Sequence, residues 1–259
     1  MAGQEESRLT LREHLEELRK RLFVAALAVA LGTVVAFVLH REILKLLMGP
    51  ADDLLSGTDA GLIYTNLTEN LGVSMKVSLL GGFILALPVV VYELVMFIAP
   101  GLTPRERRYL LMFLPAVVIT FALGVLFGYF IMLPPALRFL LTFDADIATP
   151  MIRVGNYISI VTRLLFWLGM VFEIPILIFL LAKLRLVNHR MLARRRRIAV
   201  ILAFVLGAMI TPTFDPINQT LVAVPIVLLY EAGIWLAWLA RRGEKSSSVD
   251  VTEAPDPSS

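Results

Sequence analysis

Cysteine is absent from the 259 residues. That excludes disulfides and thiolate metal sites, and it removes redox chemistry as a guide to compartment. Charge is scarce: 17% of residues are Asp, Glu, Lys or Arg against 58% apolar, with a mean hydropathy of +0.79. A water-soluble domain needs a charged shell of about a quarter of its residues. The deficit implies that lipid, not water, covers much of the surface. Histidine is limited to His14, His40 and His189, and none stands in an HExxH arrangement. A glycine-rich phosphate loop is missing, and the charged residues inside the apolar runs form no metal-ligand cluster. No catalytic, cofactor or metal site is expected, and no nucleic-acid partner. The first twenty residues mix Glu5, Glu6, Arg8, Arg12 and Glu13 with no small-residue cleavage site. They do not read as a cleaved leader, so the first apolar stretch is expected to stay as a membrane helix.

What the chain does have is long apolar runs. A bilayer core of about 30 Å takes roughly 20 residues of helix. Runs at 22–39, 73–98, 109–133, 158–181, 198–211 and 220–239 predict six membrane helices. The fifth gives only roughly 21 Å of helix, too short to cross untilted. It and the sixth are therefore expected to form a short hairpin that stops below the outer surface. Pro88, Pro115, Pro175 and Pro225 fall inside runs, and each removes a backbone bond. Bent helices in a curved, concave arrangement are the expected all-α fold. Gly124 and Gly128 suggest a small-residue packing face.

Lys and Arg concentrate before run one, between runs two and three, between runs four and five (Arg194, Arg195, Arg196 and Arg197 among them), and after run six. The opposite side holds only Arg41, Lys45, Arg138 and Arg153. The positive-inside rule then puts both termini in the cytoplasm of a multi-pass protein of the cytoplasmic (inner) membrane. The expected organisation is a cytoplasmic amphipathic segment over 1–21, a membrane domain over 22–240 and a disordered tail over 241–259. The loops at 40–72 and 134–156 are long enough to form outer caps.

A few polar residues invite a functional reading. Leu11, Leu15, Leu18 and Leu22 make one stripe of an amphipathic helix, with Glu13, Glu16, Glu17, Arg19, Lys20 and Arg21 around it. It reads either as a helix resting on the headgroups or as the carrier of an acid that binds a cationic partner. Glu106 follows Pro104 at a helix start, where a carboxylate gains from the macrodipole or is offered to a guanidinium. Glu173 sits in run four beside Pro175. It predicts either a wet cavity or a helix–helix hydrogen bond, because an ionised carboxylate facing lipid is costly. Glu231, inside run six, is a weaker candidate of the same type.

The order of these features matches a family. His14-Leu15-Glu16-Glu17-Leu18-Arg19-Lys20-Arg21-Leu22 resembles the opening signature of TatC proteins. Phe97-Ile98-Ala99-Pro100-Gly101-Leu102 with Glu106-Arg107-Arg108 resembles their second signature. Phe172-Glu173-Ile174-Pro175, Gly128-Tyr129-Phe130, and Thr211-Pro212 with Asp215 and Gln219-Thr220-Leu221 are similar to later ones. The resemblance implies a non-enzymatic receptor of the twin-arginine protein translocase in the lipid bilayer. It would bind the signal peptides of folded cargo, assemble with TatA- and TatB-type single-span subunits in an oligomeric complex, and use the proton-motive force. It implies that Glu17 and Glu106 bind the arginine pair, with Arg19 and Phe97 shaping the patch. Glu173, Tyr129, Asp215 and Gln219 would serve a cavity or partner contacts. The alternatives are a secondary transporter, which needs facing polar groups along a pathway, and a membrane-assembly scaffold.

Overall fold

The computed structural model describes residues 11–55, 61–66, 68–98, 103–142, 151–184, 186–211 and 216–247. Five stretches are long and apolar enough to cross a bilayer: Glu13–Val38, Glu69–Phe97, Leu111–Leu140, Val154–Lys183 and Pro216–Leu239. The molecule is a helical, polytopic membrane protein. The run at 198–211, expected to be short, forms a helix of 15 residues and is not one of these five. The chain divides into two compact units, Met1–Ile119 with Asp144–Thr162, and Thr120–Phe143 with Arg163–Ser259.

In the first unit, α1 (Leu11–Val38) runs without interruption through the boundary expected near residue 21. It contains no proline, and its one glycine lies deep in the apolar stretch. The segment expected to be amphipathic and the first apolar run form one continuous helix. Leu15, Leu18 and Leu22 of its polar-flanked stripe are all exposed. After α2 (His40–Leu55), helix α3 (Glu69–Ile98) returns antiparallel to α1. Their backbones nearly touch at Gly32 and Gly82, where a Cβ on Gly82 would collide with the backbone of Thr33. Without a hydrophobic drive between helices in lipid, such close small-residue packing is what holds them.

The end of this unit where α3 begins is pinned by polar bonds. Strand β1 (Leu62–Ile63) pairs in parallel with β2 (Ile152–Arg153), Leu62 opposite Ile152. Glu69 accepts from the Thr65 N–H at 2.9 Å and the Gly155 N–H at 2.8 Å. Tyr157 donates to the Leu47 carbonyl at 2.6 Å. These bonds fix the start of α6 (Val154–Phe172) against the start of α3 and against α2.

Helix α4 (Pro104–Phe127) leads into a π-helical turn, Gly128–Met132, and then α5 (Leu133–Thr142). In the second unit Gly124 lies so close to α6 that an added Cβ would come within 2.7 Å of the Leu168 carbonyl oxygen. The small-residue face expected at Gly124 and Gly128 is real. Helix α6 stops at Phe172 and α7 (Ile174–Lys183) restarts beyond Glu173, with Pro175 in its first turn. Proline lacks the N–H that the Val171 carbonyl would accept, so the break falls where expected. Helices α3, α4 and α10 (Pro216–Ser247) continue through Pro88, Pro115 and Pro225.

Short α8 (His189–Arg194) precedes α9 (Arg196–Ile210). At about 22 Å, α9 ends on an extended Thr211 whose hydroxyl donates to the Gly207 carbonyl at 2.8 Å. Both final spans are shorter than the second, third and fourth, as expected: α9 markedly so, and the apolar stretch of α10 at 24 residues against 29 and 30. Helix α10 runs to Ser247, into the segment expected to be disordered. Residues 248–259 lie outside the described residues.

The α1–α3 contact gives the first prediction. Gly82→Val should lower thermal stability in detergent by about 1–3 kcal/mol, because the new methyls meet backbone and not a mobile side chain. Gly72→Ala is the control, with nothing within 4 Å of its added Cβ, and should not lower it.

Candidate functional site

Glu17 and Arg21 lie one helical turn apart on α1, the spacing at which side chains meet. Glu17 Oε1 accepts from Arg21 Nε at 2.9 Å and Nη2 at 2.6 Å. The same guanidinium reaches across to α3, where Nη1 donates to Glu93 Oε2 at 3.1 Å. Side-chain exposure is 22% for Arg21, 23% for Glu17 and 15% for Glu93, so the group is shielded from bulk water. Two carboxylates sharing one guanidinium leave the cluster with a net negative charge. Phe97 follows Glu93 by one turn on α3 and stacks on His14, with centroids 4.5 Å apart and planes at 23°. Beside them opens a cavity of about 160 Å³, with Leu18, Leu22, Val90 and Leu94 on its apolar walls and Arg21 and Glu93 at its edge.

The structure thus brings Glu17 and Phe97 together through Arg21, Glu93 and His14. Arg19 is exposed and lines a different, open groove with Glu16, Lys20 and Phe23. Two residues from Glu17, it points to another side of α1. The side chain of Glu106 lies outside the described residues. Its backbone belongs to the first turn of α4. The next residue, Arg107, approaches Met96 Sδ to 3.4 Å, one position before Phe97.

In the second unit, Glu173 is 7% exposed at the α6–α7 break. Its Oε1 accepts from the Thr120 hydroxyl at 3.1 Å, and Oε2 has no hydrogen-bond partner among the described residues. Half of this carboxylate thus has the expected helix–helix bond. Tyr129 sits on the π-helical turn, half-buried, edge-on to Phe130. Gln219 donates to the Phe204 carbonyl at 2.9 Å and tacks α10 to α9. It also borders an open groove of about 560 Å³ along α9, with Ile201, Phe204, Val205 and Met209. Asp215 lies outside the described residues. Glu231 is no lone acid: it pairs with Arg196 at the start of α9, Nε to Oε1 at 2.7 Å and Nη2 to Oε2 at 2.8 Å.

Sequence reasoning missed three members of the first cluster: Arg21, Glu93 and His14. The signals were present. Glu17 with Arg21, and Glu93 with Phe97, are both i,i+4 pairs on antiparallel helices. Nothing in the sequence aligned the two pairs, because that register depends on the Gly32–Gly82 contact.

Comparison with known proteins follows the same lines. Residues 13–225 match the model of a family described as "Sec-independent protein translocase protein (TatC)". A protein of that name from Carboxydothermus hydrogenoformans is 37% identical over 90% of this chain and 94% of its own length. One from Deinococcus radiodurans is 41% identical over 88% and 86%. A solved structure described as "Crystal Structure of Twin Arginine Translocase Receptor- TatC" superposes with a TM-score of 0.78 at 40% identity. It covers 88% of this chain and 100% of that one.

Glu173 gives the second prediction. Thr120→Val removes the hydroxyl that Oε1 faces and should destabilise the detergent-solubilised protein by about 1–3 kcal/mol. Glu173→Gln keeps an acceptor for Thr120 while removing a charge, and its melting temperature should hold or rise.

Proposed function

Because the chain belongs to the TatC family of Sec-independent protein translocases, we propose that it is the receptor subunit that binds twin-arginine signal peptides of folded proteins. Binding takes place at the cytoplasmic face, and the proton-motive force drives export. The observation that carries this reading is the Glu17 carboxylate, which already holds a guanidinium through two N–H groups beside Phe97. A guanidinium stays charged at every relevant pH and offers a planar fork that a carboxylate matches, whereas an ammonium is a point charge without that geometry. A site made of carboxylates at the membrane surface therefore selects paired arginines over paired lysines. Glu106 supplies the second carboxylate. The first turn of α4, which carries it, lies close enough to the end of α3 for Arg107 to reach Met96, and this supports a shared site with Glu17. Arg19 acts from the neighbouring face of α1.

The positive-inside rule supports cytoplasmic N- and C-termini, which puts Glu17, Glu93 and Phe97 on the cytoplasmic side. The protein acts by binding, without covalent chemistry. Tyr129, Asp215 and Gln219 serve contacts with single-span partners of the TatA and TatB type, and the open groove beside Gln219 has the apolar character of a helix-docking surface. Glu173 lies on a partly wet cavity in the membrane region, which would supply its unpartnered oxygen with water. Short α9 assists passage. Its exposed Arg194, Arg195, Arg196 and Arg197 hold its start at the headgroups, so Thr211 lies below the opposite surface and the bilayer thins there.

Two experiments follow. Glu17→Ala and Glu106→Ala should each weaken binding of a fluorescent twin-arginine peptide by at least about tenfold, the worth of one charge-assisted hydrogen bond. Export of a twin-arginine reporter should fail in step, and peptide binding that survives both changes would sink the proposal. For the thinning, lengthening α9 by about one turn of Leu/Ala should lower transport while leaving peptide binding intact. Undiminished transport would remove that part.

A further inference from the structure

We infer that Arg21 occupies Glu17 in the peptide-free receptor, and that Glu93 is the positioning residue that takes Arg21 away when a signal-peptide arginine arrives. This rests on the reading of Glu17 as a peptide-binding carboxylate.

The geometry points to exchange, not to a static ion pair. Arg21 spends Nε and Nη2 on one oxygen of Glu17 and Nη1 on Glu93 across the helix pair. Arg21 and Glu17 share a helix at i,i+4, a spacing that would persist without α3. Glu93 adds a second acceptor on the opposite side of the same guanidinium. An entering guanidinium competes for the oxygens that Arg21 already holds. An arginine expelled from Glu17 into a site at most a quarter exposed, with no other acid, would be left unpaired and shielded, a costly state. Glu93, the least exposed of the three, removes that cost, because Arg21 keeps one carboxylate when it gives up the other. The cluster's spare negative charge is then neutralised by the incoming arginine, which takes Glu17 while Arg21 keeps Glu93; Glu106 is left to the second peptide arginine. The 160 Å³ cavity beside Arg21 and Glu93 gives the displaced side chain room to swing.

Apparent peptide affinity is therefore set by a competition internal to the receptor. Occupancy of Glu17 by Arg21 lowers the competent fraction, and apparent affinity falls by that fraction. Glu93 raises it.

The test is a double-mutant cycle on the full-length receptor in detergent, read as the Kd of a synthetic peptide carrying two adjacent arginines. Glu93→Gln should raise Kd about tenfold, since Arg21 then falls back on Glu17 with the loss of one charge-assisted bond. Arg21→Gln should lower Kd severalfold, and in that background Glu93→Gln should have no further effect. A merely structural Glu93 would weaken binding equally with and without Arg21, and that result would overturn the inference, as would an unchanged Kd for Glu93→Gln alone. If Arg21→Gln does not fold, Arg21→Lys keeps the charge but loses the fork, and it should recover part of the Glu93→Gln defect; no recovery would count against exchange. Glu17→Gln separates the two layers. A Kd indifferent to Glu17→Gln removes the peptide site itself, whereas a Kd that depends on Glu17 but shows no Arg21–Glu93 coupling removes only the exchange.

Discussion

A charged side chain between membrane helices has to find an opposite charge or a hydrogen bond, because hydrocarbon offers it neither. The arrangement of this molecule follows from that requirement. Arg21 bridges α1 and α3 because two carboxylates meet it there. Arg196 and Glu231 join the start of α9 to α10, and Lys76 of α3 bonds Ser159 of α6 at 2.8 Å. Each pair sits where two helices come together, so the polar groups fix register while the apolar faces remain open to lipid. Glu173 departs from the rule, with one oxygen bonded and one not.

Close backbone approach works alongside the charges. Gly32 against Gly82 and Gly124 against Leu168 bring helix axes together more tightly than any side chain would permit. Apolar attraction between helices is weak in lipid, so this contact replaces the hydrophobic core of a soluble protein. It also aligns the cluster on α1 and α3. Moving α3 by one residue relative to α1 would swing Glu93 by about 100° and part it from Arg21.

The fold was largely legible in the sequence because span length and hydropathy are read locally. Apolar runs, the break at Pro175 and the small-residue face at Gly124 all depend on residues within a few turns of one another. Leu15, Leu18 and Leu22 are amphipathic by spacing, and with nothing to separate them from the apolar run the helix simply continues. The length of α10 was underestimated because its polar end keeps good helix formers. Of the site, Glu17 and Phe97 could be named from local pattern, whereas Glu93 stands inside an apolar run with no motif of its own. Its meaning lies in the residue opposite it, and opposition across helices is a tertiary fact.

The parallel pair of β1 and β2 has a consequence for the order in which the chain is assembled. Leu62 cannot meet Ile152, nor Glu69 the amide of Gly155, until the intervening α3, α4 and α5 have been synthesised and inserted. Closing so long a loop carries an entropic cost before any bond returns it. The α1–α3 pair needs no such wait, since its partners emerge from the ribosome in immediate succession with only α2 between them. This clasp should thus close late in biogenesis, over a pair of helices already packed. A nascent chain stalled before residue 152 would present the arginine–carboxylate cluster complete, with the opposite end of the helix pair still unfastened.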